Sequence, residues 1–125
     1  MIYIWVGAAG FMGAVLRYAL GVLFYDADAF FPFSTLTANL TGSFLLAWFT
    51  FELIHRFSLS KATKSAIGTG FIGSFTTFST LSVETVTLMN QGSVLLASVY
   101  VLVSIIGGLI LSHLGYSLGA RRRAG

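Results

Sequence analysis

Four stretches of this 125-residue chain, roughly residues 2–24, 33–54, 62–89 and 94–118, are each apolar and long enough to cross a lipid bilayer. A bilayer core takes about 20 apolar residues in helical form. Lipid offers no partner to a backbone N–H or C=O, so only helices or a closed barrel span it, and four strands cannot close a barrel. The stretches therefore read as four transmembrane helices of one all-α integral membrane domain covering residues 1–125. Charged residues make up 9% of the chain, against about 25% in a soluble domain, and mean hydropathy is +0.88. The first stretch lacks a basic leader and a small-residue cleavage site, so a retained span is expected rather than a signal peptide.

The interruptions have local causes. Asp26, Asp28 and Pro32 end the first stretch, residues 55–64 are polar, and Asn90-Gln91-Gly92 is a tight-turn signal. Gly7, Gly10, Gly13 and Ala14 in the first stretch, and Gly107 with Gly108 in the fourth, form small faces on which helices approach closely. With four spans, both termini share one side with the 55–64 loop. That side carries Arg56, Lys61, Lys64 and Arg121 to Arg123, and the other carries Asp26 and Asp28. The positive-inside rule puts the basic side in the cytoplasm. Basic clusters beside apolar spans meet lipid head groups, so the net charge of +3 does not point to nucleic acid.

The third stretch is longer than a straight span needs, and its composition is unusual for one. Gly70, Gly73, Ser74, Thr76, Thr77, Ser79 and Thr80 alternate with Phe71, Phe75 and Phe78, and the run ends at Glu84. Glycines followed by β-branched residues predict a helix broken within the membrane, which lipid tolerates only where the freed backbone faces protein or a polar path.

Other polar residues lie within the spans. Thr35, Asn39 and Ser43 share one face of the second, spaced by four. Asn39 is either an interhelical packing contact or one of a row of donors. Thr76, Thr80, Glu84 and Thr87 form a face of the third, with Phe75, Phe78 and Leu81 on another. An intramembrane carboxylate marks function, unless Glu84 sits near the helix end or pairs with a hydroxyl or Arg17. Arg17 either snorkels to an interface or acts as a structural clamp on carbonyls freed by a helix break, and the clamp is the favoured reading. Tyr100 lies deeper than an aromatic-belt residue, and its phenol needs a partner or a polar path. The chain has no Cys, and His55 and His113 stand far apart. No nucleophile–base pair, side-chain metal cluster or phosphate loop is present to support an enzyme. Amide and hydroxyl donors between phenyl rings suit a small, strongly hydrogen-bonding anion, while leaving water or a polar solute open.

These residues resemble the Fluc (CrcB-type) fluoride channels. Thr76-Thr77-Phe78-Ser79-Thr80 is similar to that family's third-span signature. Gly10-Phe11-Met12-Gly13-Ala14-Val15-Leu16-Arg17-Tyr18 and Thr35-Leu36-Thr37-Ala38-Asn39-Leu40-Thr41-Gly42 are similar to its first- and second-span patterns. The resemblance implies passive export of fluoride across a bacterial inner membrane through two pores of an antiparallel dimer. It further implies a structural sodium ion at the dimer centre, held by the backbone carbonyls of Gly73 and Thr76. Asn39, Phe78, Ser79, Thr80, Tyr100 and Glu84 match pore positions, and Arg17 matches the family's first-span arginine. The family often carries a second phenylalanine where this chain has Leu81, which has no ring quadrupole. The charge bias is also stronger than a chain inserting in both orientations needs, so the implied partner is a second copy or an oppositely oriented homologue. Two other classes compete. A small multidrug exporter needs a carboxylate deep in the first span, and here the first Glu is Glu52. A non-transporting assembly subunit accounts for the glycine faces but not for the polar stripes.

Overall fold

The computed structural model describes the backbone of residues 1–25 and 30–124 and side chains through Arg121. The Asp26 and Asp28 turn and the side chains of Arg122 and Arg123 lie outside the described residues. The described chain is helical. Helix α1 is Ile2–Leu23. Helix α2 covers 33–56, formed by Phe33–Trp48, a π-helical turn Phe49–Leu53 and Ile54–Arg56. Helix α3 covers 61–75, with a π-helical stretch Ala66–Ile72 between Lys61–Ser65 and Gly73–Phe75. Helix α4 is Phe78–Asn90 and α5 is Val94–Ala124.

Each turn follows from its residues. Pro32 precedes α2, where its missing N–H costs nothing. Ser60 starts α3 by accepting the Thr63 N–H at 3.2 Å. Helix α4 ends in a Schellman arrangement: Ser93 N–H reaches the Leu88 carbonyl at 2.9 Å and Gly92 N–H reaches Met89 at 3.0 Å. That closure places Gly92 at φ +83°, where a side chain would be strained.

Small residues bring the helices together. A Cβ on Gly70 would lie 2.6 Å from the Val6 carbonyl, and one on Gly13 would collide with the Phe71 carbonyl, so α1 rests directly on α3. A Cβ on Gly115 would lie 2.5 Å from the Phe44 carbonyl, which seats α5 along α2. Backbone approach of this kind replaces the hydrophobic effect as the packing force in lipid. The interior holds Ala38, Phe49, Ile72, Phe75 and Tyr100, whereas most of α1 and the outer face of α5 expose apolar side chains. Both are long and apolar enough to cross a membrane. Where α2 ends, buried Glu52 accepts the Trp48 indole N–H at 2.6 Å and pairs with Arg56 at 3.4 Å.

Candidate functional site

Between α3 and α4 the chain leaves the helix for two residues. Thr76 (φ −85°, ψ 158°) and Thr77 (φ −153°, ψ 124°) are both extended. The interruption falls on the threonines; Gly70 lies within the π-helical stretch and Gly73 starts a helical turn. β-branched side chains favour extended backbone, and here their hydroxyls also take over hydrogen bonds that the helix gives up.

Asn39 holds the interruption. Its Oδ1 accepts the Thr77 N–H at 2.7 Å and its Nδ2 donates to the Thr77 carbonyl at 2.9 Å. One amide thus satisfies both backbone groups of a buried residue. Thr77 Oγ1 then caps α4, accepting the Thr80 N–H at 3.2 Å. In an unbroken helix the Thr77 and Thr80 N–H groups would bond the Gly73 and Thr76 carbonyls. Both donors are diverted, so these two carbonyls lose their helical partners. The Gly73 carbonyl keeps only a long contact from Thr76 Oγ1, 3.4 Å, and among the described residues that of Thr76 accepts none. Among the described residues no three His, Asp or Glu side chains converge.

Gly42 completes the seat on α2, since a Cβ there would collide with Thr76 Cγ2. Asn39, Gly42, Ser43, Gly73, Thr76, Thr77, Phe78 and Leu81 border a recess of about 300 Å³. The second Nδ2 hydrogen of Asn39 has no hydrogen-bond partner among the described residues. Phe78 stands at this recess with its side chain 80% exposed. Ser79 is exposed, its Oγ 3.2 Å from Thr77 Oγ1, and Thr80 Oγ1 receives the Thr77 hydroxyl at 3.2 Å.

Two turns along α4, Glu84 joins three helices. Thr35 of α2 donates to its Oε1 at 2.8 Å, and Tyr100 of α5 donates to its Oε2 at 2.7 Å. Hydrogen bonds to an ionised carboxylate are the strong kind. Tyr100 is wholly buried, with the Phe31 ring edge-on at 5.3 Å. Leu81 packs beside Leu88, Ala97 and Tyr100 in the same cluster, so it is an aliphatic neighbour of the phenol. Further along α5, Ser104 Oγ is buried with no hydrogen-bond partner among the described residues.

The α2 stripe is therefore used position by position. Thr35 holds Glu84, Asn39 holds the interruption, and Ser43 turns back to the Asn39 carbonyl at 2.9 Å. The expected stripe of Thr76, Thr80, Glu84 and Thr87 is divided, because Thr76 lies before α4. The clamp expected of Arg17 is on freed carbonyls, and the contacts Asn39 makes are to Thr77. Among the described residues Arg17 forms no hydrogen bond or ion pair, and it lines a groove with Thr80 and Glu84. Two participants went unassigned in the sequence: Thr77 and Gly42. A threonine three residues before Thr80 at a helix start is a capping signal, and Gly42 lies one turn beyond Asn39 on the same face.

Residues 4–116 match the family model described as CrcB-like protein, Camphor Resistance (CrcB). The chain belongs to the CrcB family. Among its relatives is the fluoride-specific ion channel FluC 1 of Desulfitobacterium hafniense (strain Y51), 58% identical over 85% of this chain and 92% of that protein. FluC 1 of Bacillus cereus (strain ATCC 10987 / NRS 248) is 52% identical over 95% of this chain and 88% of its own. FluC 2 of Geobacillus kaustophilus (strain HTA426) is 48% identical over 98% and 96%. CrcB membership and the two long apolar helices make this a membrane protein.

Proposed function

We propose that the chain is a fluoride-selective channel, working as an antiparallel pair that lets fluoride leave a bacterial cytoplasm passively across the inner membrane. The observation that carries this is the Asn39-held interruption, in a chain 58% identical to a named fluoride-specific channel. The interruption offers donors on one side and carbonyls on another while both backbone groups of Thr77 stay paired.

On the donor side, the free Nδ2 hydrogen of Asn39 and the exposed Phe78 ring border one recess, and a phenyl edge is electropositive. Ser79 and Thr80 supply hydroxyls beyond it, with Leu81 an aliphatic wall and Tyr100 held beside them by the hydrogen it donates to Glu84, which also takes that of Thr35. Small donors at short spacing replace the water shell of a small anion. On the carbonyl side, Gly73 and Thr76 would hold the structural sodium ion. One chain offers two carbonyls where a hard cation takes more oxygens, so a second copy, or an oppositely oriented homologue, would bring the other two. The ion would tie the two interruptions together; no transport step passes through it. The two-fold pairing then gives two pores, one along each interruption.

The test is ion efflux from liposomes carrying the purified protein, with fluoride and chloride followed by selective electrodes. Rapid fluoride efflux with negligible chloride efflux is expected. No fluoride efflux from folded protein, alone and with an oppositely oriented homologue, would end the channel assignment.

A further inference from the structure

Five of the ten residues from Phe24 to Phe33 are aromatic. All five, Phe24, Tyr25, Phe30, Phe31 and Phe33, line one recess of about 340 Å³, and Glu84 of α4 borders the same space. Phe30 and Phe33 stand edge to face, centroids 6.2 Å apart, and Phe31 is tilted 50° to Phe33 at 5.0 Å. The three rings thus form an angled wall. Phe24, Tyr25, Phe30 and Phe33 are each more than half exposed. Phe24 directly follows α1 and Gln91, also at the recess, directly follows α4, so the recess opens where the helices end.

The charge around it has one sign. No Lys or Arg lines the recess, and Arg17 belongs to the neighbouring groove. Between Arg17 and Arg56 the sequence has no basic residue, while Asp26 and Asp28 fall among the five aromatics. Glu84 takes one hydroxyl on each oxygen, which leaves a lone-pair position on each for a cation.

We propose that this recess binds a small organic ammonium ion from the aqueous phase, with the rings around its alkyl groups and Glu84 as counter-charge. Ring faces attract such a cation through their quadrupole, and a quaternary ammonium has no N–H to satisfy. A bare metal cation wants several oxygens and finds mainly rings here. An interfacial aromatic belt accounts for rings at this level but not for the carboxylate they border. A lipid ammonium group comes tethered beside a phosphate, which Glu84 repels, so the soluble ion is the occupant. The inference stands apart from the channel reading, since it concerns binding and no fluoride need move.

The probe is choline, whose methyl signal is followed by saturation-transfer NMR with the purified full chain in maltoside detergent. Its neutral carbon isostere, with tert-butyl in place of trimethylammonium, reports shape without charge. Choline is expected to bind at least about five-fold more tightly than the isostere. Tyr25→Leu and Phe30→Leu, both at exposed positions, should each weaken choline binding about two- to five-fold with the thermal midpoint unchanged. Glu84→Gln should lower the choline-to-isostere ratio, a ratio that does not depend on the fraction of protein folded. Equal binding of the two probes, choline binding unmoved by both ring substitutions, or a ratio unmoved by Glu84→Gln would each overturn the site. Phosphatidylethanolamine added to the micelles should leave choline in place; displacement would give the recess to a lipid head group and overturn the soluble ligand.

Discussion

Asn39→Asp exchanges one N–H donor for an oxygen and leaves side-chain size unchanged. The Thr77 N–H keeps its acceptor, at 2.7 Å in the parent. At 2.9 Å from the Thr77 carbonyl, however, an oxygen now replaces the donating Nδ2. Losing that hydrogen bond and leaving the part-buried carbonyl unpaired costs about 1–3 kcal/mol. That is a fall of about 4–12 °C in thermal midpoint for a chain of this size. Asn39→Ala loses both bonds and strands the Thr77 N–H, in a residue only 9% exposed. Its stability loss should be at least as large, and hydrogen exchange at the Thr77 amide should accelerate more than in Asn39→Asp. Thermal unfolding in detergent, amide exchange and fluoride efflux together test this, with efflux impaired in both variants. If both unfold within about 2 °C of the parent and the Thr77 amide exchanges no faster, Asn39 does not hold the interruption.

Further outcomes concern the same surroundings. Gly42→Ala should displace Thr76 and cut fluoride efflux several-fold, and adding Thr76→Ser, which removes the colliding Cγ2, should restore it; no rescue would mean Gly42 acts elsewhere. Tyr100→Phe and Thr35→Val each remove one hydrogen bond to Glu84, worth about 1.5–3 kcal/mol. Their combination should cost more than the sum in a double-mutant cycle of thermal stability, and strict additivity would show the hydroxyls to be independent. Phe78→Ile should lower efflux with little change in thermal midpoint, because the ring is 80% exposed; unchanged efflux would make it a packing residue. Gly92→Ala should destabilise the α4–α5 turn by about 1 kcal/mol and Gly92→Asn by less, because only the second tolerates positive φ, and equal losses would argue against that cause.

Hydropathy alone made the chain helical and membrane-bound, because lipid satisfies no backbone group. The turn at Gly92, the glycine seams of α1 and α5 and the cap at Ser60 were also local matters, each determined by a few adjacent residues. The spacing of Thr35, Asn39 and Ser43 put three polar groups on one face, and the alternation of hydroxyls with phenylalanines marked the third stretch as unusual. What each group bonds was a different question. Whether Asn39 was a packing contact or a donor depended on a backbone 38 residues away. Once placed, it proved to hold Thr77 with one donated and one accepted hydrogen bond and to keep an N–H free. The position of the interruption required the same information: glycine permits a break, but two threonines take it where an amide from α2 is waiting. Arg17 shows the reverse case. Its place near a broken helix suggested a clamp, and within one chain it lines a groove with Glu84 while Asn39 holds Thr77. Periodicity orders side chains along one helix. Only the packing of α1, α2, α4 and α5 decided which donors met which acceptors, because those partners lie far apart in sequence and meet only when the helices are set at their final register.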